Sequence, residues 1–134
     1  MTADPQVLFT RRARSYSRFI KLFRYRQGLR AYLASSDLLQ NGVRVLEAGC
    51  GTGALTLAFC DAMRSRRLSI GTLHAFDLTP AMLDILRESE LPDCVELAQA
   101  DVLALDTFRP NSQDYDLVIS ASMLEYVPRA QLPN

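Results

Sequence analysis

The chain has 134 residues, 49% of them hydrophobic and 22% charged, with fifteen Lys+Arg against fifteen Asp+Glu. This is the composition of one globular domain and excludes a disordered or fibrous chain. Three scattered cysteines and one histidine, His74, exclude a disulfide framework and the usual Cys/His zinc site. No apolar run reaches the roughly 18 residues of a membrane span, and the N-terminus lacks the order of a signal peptide. A reducing cytoplasm is the expected compartment.

The neutral total hides an asymmetry. Residues 1–44 carry nine basic groups against Asp4 and Asp37, a net +7, and residues 45–134 carry a net −7. The basic arm reads either as a footprint for an anion or as a solvated helix face, and the second is the commoner outcome.

Residues 1–8 read as frayed. Over residues 9–40, Phe9, Ala13, Tyr16, Phe19, Ile20, Phe23, Leu29, Tyr32 and Leu33 recur at spacings of three and four, which predicts helix, with Gly28 as a point of division. Asn41-Gly42 is a turn signal. Val43–Leu46 is β-rich and enters the loop Ala48-Gly49-Cys50-Gly51-Thr52-Gly53. A helix follows over about 53–66, with Leu57, Ala58 and Ala62 inward. Gly71–Phe76 reads as a second strand closed by Asp77. Thr79-Pro80 is a helix start, a Thr cap followed by Pro where its missing N–H costs nothing. Met82, Leu83, Ile85 and Leu86 form the apolar stripe of that helix. Val95–Ala100 reads as a third strand, 106–114 as a polar loop, Asp116–Ser120 as a fourth strand, and 122–127 as a further helix or turn.

Alternation of strand and helix demands a parallel sheet with helices on its faces. Ligands of such sheets sit outside the carboxyl ends of the strands. Glu47, Asp77, Asp101 and Ser120 stand there, with Glu125 near. The glycine loop alone fits two readings. Gly49-x-Gly51-x-x-Ala54 satisfies a loose dinucleotide fingerprint, with Asp77 for a ribose. Glu47, however, would repel a pyrophosphate at that helix start. It would attract a ligand bearing a sulfonium and an ammonium, and glycines would let the backbone approach such a ligand closely.

The segment VRVLEAGCGTGALTLAF resembles the first motif of class I S-adenosylmethionine-dependent methyltransferases. HAFDLTPAML resembles their second motif, AQADVLAL their third, and DYDLVISASMLEYVP the fourth strand and its sequel in members acting on small molecules. The motifs run in family order across residues 43–128. The resemblance implies an α/β fold, a Rossmann-like and mostly parallel sheet of strand order 3-2-1-4, with N-terminal helices. It divides the chain into a helical segment, 1–42, and a cofactor-binding domain, 43–134. It implies an enzyme that takes S-adenosyl-L-methionine and releases S-adenosyl-L-homocysteine. It implies that Glu47, Ala48, Gly49, Cys50, Gly51 and Gly53 line the methionyl end. Asp77 would hold the ribose and Leu78 the adenine face. Asp101 and the Val102 amide would read the adenine edge, and Ser120 would lie beside the methyl-transfer path.

Two departures limit what carries over. Glu125-Tyr126 stands where such members often have Glu-His, so no catalytic base is named. The family's full domain continues through a fifth strand and a closing antiparallel pair, so the expected sheet is incomplete and covers the cofactor half. Strand four then becomes an apolar edge, a pairing hazard unless a second copy, a partner chain or further residues cover it. The expected acceptor is a small molecule, favoured by ISASMLEYV and by the lack of an NPPY-type tetrapeptide. The alternatives are a non-catalytic cofactor-binding module, and an RNA methyltransferase using its basic arm. No membrane or metal is expected, and nucleic acid is disfavoured. Among the remaining candidates, Cys50 reads as a small loop residue and His74 as a satisfied core histidine. Tyr16 and Tyr25 read as packing residues and Asp114 and Asp116 as solvated. Glu125 reads equally as a substrate-orienting acid and as a helix N-terminal acid.

Overall fold

A computed structural model of the chain describes residues 23–107 and 114–121. Residues 9–22 of the helical stretch expected over 9–40, the centre of the 106–114 loop, and the segment 122–127 with Glu125 lie outside the described residues. So does Tyr16.

The first described helix, α1, covers 23–34. It runs through Gly28 without a break, where a Cβ would meet nothing within 4 Å. It ends well short of residue 40 because serines compete for its backbone: the Ser35 hydroxyl donates to the Tyr32 carbonyl at 2.8 Å, and the Ser36 hydroxyl accepts the Leu38 N–H at 3.2 Å. Leu33 is buried in the core, and Leu29 and Ala34 pack against it.

The order then runs β1 (Val43–Ala48), α2 (Ala54–Ser65), β2 (Ile70–Asp77), α3 (Pro80–Arg87), β3 (Val95–Gln99), a 3-10 helix (Val102–Thr107) and β4 (Leu117–Ser120). The four strands are parallel and lie in the order β3-β2-β1-β4, as expected. Side chains alternate across the sheet. Val43, Val45, Leu73 and Ala75 join Leu55, Phe59, Met63, Leu83 and Leu86 of the helices in one core. Each large side chain so buried contributes roughly 1.5–3 kcal/mol. Leu57, expected inward with Ala58 and Ala62, is only partly buried.

Three local expectations need correction. In α3 only Leu83 and Leu86 are buried, while Met82 and Ile85 are 41% and 51% exposed, because a two-turn helix offers the core one narrow seam. Thr79 makes no side-chain cap bond, and its own N–H donates to the Asp77 carboxylate. β4 is not buried on both faces, since Val118 is 65% exposed.

Asp116 is not merely solvated. Its Oδ2 accepts from the Arg44 N–H at 2.9 Å and from Nε at 3.2 Å, Oδ1 accepts from Nη2 at 3.0 Å, and its own N–H donates to the Arg44 carbonyl at 2.8 Å. These bonds set the start of β4 against β1, and they hold the Asp116 carboxyl below the usual carboxylate range. No described helix is long and apolar enough to cross a membrane.

Candidate functional site

The carboxyl ends of the strands form a rim. Along it, in sheet order, stand Asp101 after β3, Asp77 at the end of β2, Glu47 and the glycine loop at the end of β1, and Ser120 at the end of β4. Ala48 lies between Phe76 of β2 and Ser120 of β4, and the Ser120 hydroxyl donates to its carbonyl at 3.0 Å.

Asp77 ties the two central loops together. Its Oδ2 accepts the Gly51 N–H at 2.8 Å and its Oδ1 accepts the Thr79 N–H at 2.9 Å. The Cys50 N–H donates to the Phe76 carbonyl at 3.0 Å, and the Gly53 N–H closes a turn onto the Cys50 carbonyl at 2.9 Å. Gly51 adopts φ 54°, and a Cβ there would meet nothing within 4 Å, so open space lies over the loop. Gly53 is used differently. It is buried with φ 98°, and any Cβ would run into the Leu86 side chain. Its missing side chain lets the start of α2 approach α3.

Glu47 is 1% exposed, and the Thr56 hydroxyl donates to its Oε2 at 2.6 Å. Burial pushes its carboxyl from the ordinary 4.5 up to about 7, partly offset by the Thr56 bond. Burial and the neighbouring charges of Glu47 and Asp77 push the Cys50 thiol up to about 12, so it is no thiolate nucleophile. Asp101 accepts the Leu103 N–H at 2.9 Å in a tight local turn, with Val102 half-buried between them. Leu78, just after β2, and Leu103, just after β3, present exposed apolar side chains, 61% and 50%. Among the described residues no group of His, Cys, Asp and Glu is placed to hold a metal ion.

Thr56 was invisible to motif reasoning. Its signal was a hydroxyl on the buried face of an otherwise apolar helix, nine residues after Glu47. His74 is a satisfied core residue as expected: 3% exposed, with Nε2 3.0 Å from Glu96 and Nδ1 2.8 Å from the Tyr115 hydroxyl.

Three carboxylates on one rim favour a cationic ligand over a phosphate. The unfilled space over Gly51 and the buried Glu47 beside it fit a ligand with a sulfonium and an ammonium.

Residues 45–134 match the methyltransferase domain family. A malonyl-[acyl-carrier protein] O-methyltransferase of Acetivibrio thermocellus is 29% identical over 122 residues, which is 90% of this chain and 39% of that protein. A solved S-adenosylmethionine-dependent methyltransferase of Mesorhizobium loti superposes with a TM-score of 0.54 at 23% identity, covering 78% of this chain and 42% of that one. Magnesium protoporphyrin IX methyltransferase of Synechocystis PCC 6803, solved with S-adenosylmethionine bound, also gives 0.54, at 20% identity over 78% of this chain and 46% of that one. The fold is a Rossmann-like sheet with acids along the carboxyl rim of its strands. The chain belongs to the class I S-adenosylmethionine-dependent methyltransferases. It spans 39% of the length of the Acetivibrio relative.

Proposed function

We propose that this chain binds S-adenosylmethionine at the rim of β1–β4 and serves methyl transfer from it to a small acceptor. The observation that carries this reading is the Asp77 carboxylate, fixed by the Gly51 and Thr79 amides beside buried Glu47, on a rim of acids. Bound there, S-adenosylmethionine supplies a methyl group activated on a sulfonium.

The chain's own residues position that group. Glu47, Ala48, Gly49, Cys50 and Gly51 surround the methionyl end, where the Glu47 charge offsets the ligand's cations. Asp77 keeps lone pairs free for ribose hydroxyls beyond its two amide bonds. Leu78 covers the adenine face, and Asp101 with the Val102 amide takes the adenine edge. Ser120 flanks the path to the acceptor. Holding donor and acceptor in line lowers the barrier by roughly 7–11 kcal/mol.

The Acetivibrio relative methylates a malonyl group carried on a protein, so its acceptor is a small acyl unit. That supports a small acceptor here. The test is transfer of labelled methyl from S-adenosylmethionine to a malonyl thioester and to RNA by the same preparation. Label in the ester upholds the reading, and label in the RNA alone contradicts it.

A further inference from the structure

Glu47 pairs with Ala75 of β2 and Ile119 of β4, so it shares the core face of the sheet with Val45. Thr56 stands on the first turn of α2, three residues after the Gly53 cap, and is fully buried. Its hydroxyl donates to Glu47 Oε2 at 2.6 Å, while Oε1 accepts from no described residue. A hydroxyl that donates to Oε2 leaves Oε1 as the atom that carries the proton when the carboxyl is neutral.

Among the described residues no cation pairs with this carboxyl. The titratable groups beside it are the Cys50 thiol in the loop and the Cys60 thiol on α2, both pushed up to about 12 and neutral. On β2, Asp77 adds a second negative charge, and β4 presents Ile119. On α3, the Arg87 charge is felt at Cys50, but its guanidinium donates to Asp84 at 3.1 Å. Further along α2, Asp61 and Arg64 are felt at Cys60 and pair with each other at 3.6 Å. Burial thus outweighs the Thr56 bond and places the Glu47 carboxyl at about 7. When ionised, Glu47 is still felt in the glycine loop, where its charge helps to raise the Cys50 thiol.

We propose that Thr56 is a positioning residue for the cofactor: it fixes Glu47 so that a cation arriving at the glycine loop drives the Oε1 proton into solvent. The inference rests on the reading of function above, which brings the methionyl end of S-adenosylmethionine to that loop. The Oε1–H bond breaks, its electron pair stays on the carboxylate, the proton goes to water, and no bond of the ligand changes. The carboxylate then attracts the sulfonium and ammonium through a medium that screens far less than water, so contact is not required. Only the ionised carboxyl attracts the cation. Cofactor affinity therefore rises with pH while the stability of the free chain falls.

Calorimetric titration of the full chain with S-adenosylmethionine, in two buffers of different ionisation enthalpy, counts the protons released. About one proton is expected at pH 6 and a small fraction at pH 7.5, with affinity rising about five- to tenfold between them, below the titration of the ligand's own amine. Glu47→Gln is expected to release none and to bind more weakly at pH 7.5. Thr56→Val keeps the shape and loses the donor. It is expected to move the affinity profile to higher pH and to weaken binding at pH 7.5 about threefold, and Thr56→Ser to restore both. A threonine that only packs would lower the melting temperature of the valine variant and leave the pH profile in place, and that result overturns the positioning role. S-adenosylmethionine bound with no proton released by the wild-type chain overturns the inference and leaves the reading of function standing. A folded chain that takes up none at any pH overturns that reading, and the inference falls with it.

Discussion

The Thr56 hydroxyl reaches back from the first turn of α2 to the Glu47 carboxylate of β1, 2.6 Å away and shut off from water. No guanidinium or ammonium among the described residues pairs with that carboxylate. Burial therefore holds this acid partly protonated close to neutral pH.

Glu47 makes stability fall with rising pH. Below about 4.5 the group is protonated folded and unfolded alike, and it costs nothing. From there to about 7 only the unfolded chain ionises, so stability declines, and above 7 the decline levels off. The total is about 3 kcal/mol. Glu47→Gln removes this component, and urea unfolding from pH 5 to 8.5 measures it. Parallel curves for the two proteins would sink the assignment.

The two glycines of the loop respond differently to a methyl group. Gly53→Ala drives a Cβ into Leu86 from a left-handed backbone and costs about 2–4 kcal/mol. Gly51→Ala faces open space and costs about 1 kcal/mol from its backbone alone. Its main effect falls on S-adenosylmethionine affinity. Thermal unfolding paired with titration separates them, and equal destabilisation would contradict the division.

Tyr115→Phe strands a buried nitrogen. With Nε2 donating to Glu96, His74 Nδ1 accepts from the phenol. Removing that hydroxyl costs about 1–2 kcal/mol, and adding His74→Leu recovers part of the loss. Chemical denaturation of both variants reads this coupling, and additive losses would deny it.

Asp77→Ala releases the Gly51 and Thr79 amides together. S-adenosylmethionine affinity falls about 10- to 100-fold, the scale of one or two charge-assisted bonds. Calorimetric titration measures it. Unchanged affinity would place the cofactor elsewhere.

These positions also mark where sequence stops informing. The strands and the rim acids Glu47, Asp77 and Asp101 were legible because strand, glycine loop and helix follow each other locally, each leaving its own periodicity, whereas the sheet order came from the family resemblance alone. Long-range partners left no local trace. Arg44 and Asp116 stand 72 residues apart, as do Ala48 and Ser120, and only the β1–β4 register brings them together. Gly53 was counted with the loop from its spacing, and the packing of Leu86 over it left no trace there. Thr79 has the right identity for a cap, but its hydroxyl makes no cap bond, and its own amide donates to Asp77, two residues earlier. Met82 and Ile85 have the apolarity of a core stripe, and burial depends on a neighbour that the sequence does not show.

On the function proposed above, the acidic rim takes a cationic nucleoside rather than a dinucleotide. Calorimetric titration of the 134-residue chain with S-adenosylmethionine, and separately with NAD, tests it most directly. Saturable micromolar binding of S-adenosylmethionine and none of NAD is expected. Binding of NAD in its place, or a folded sample that takes up neither, would contradict it.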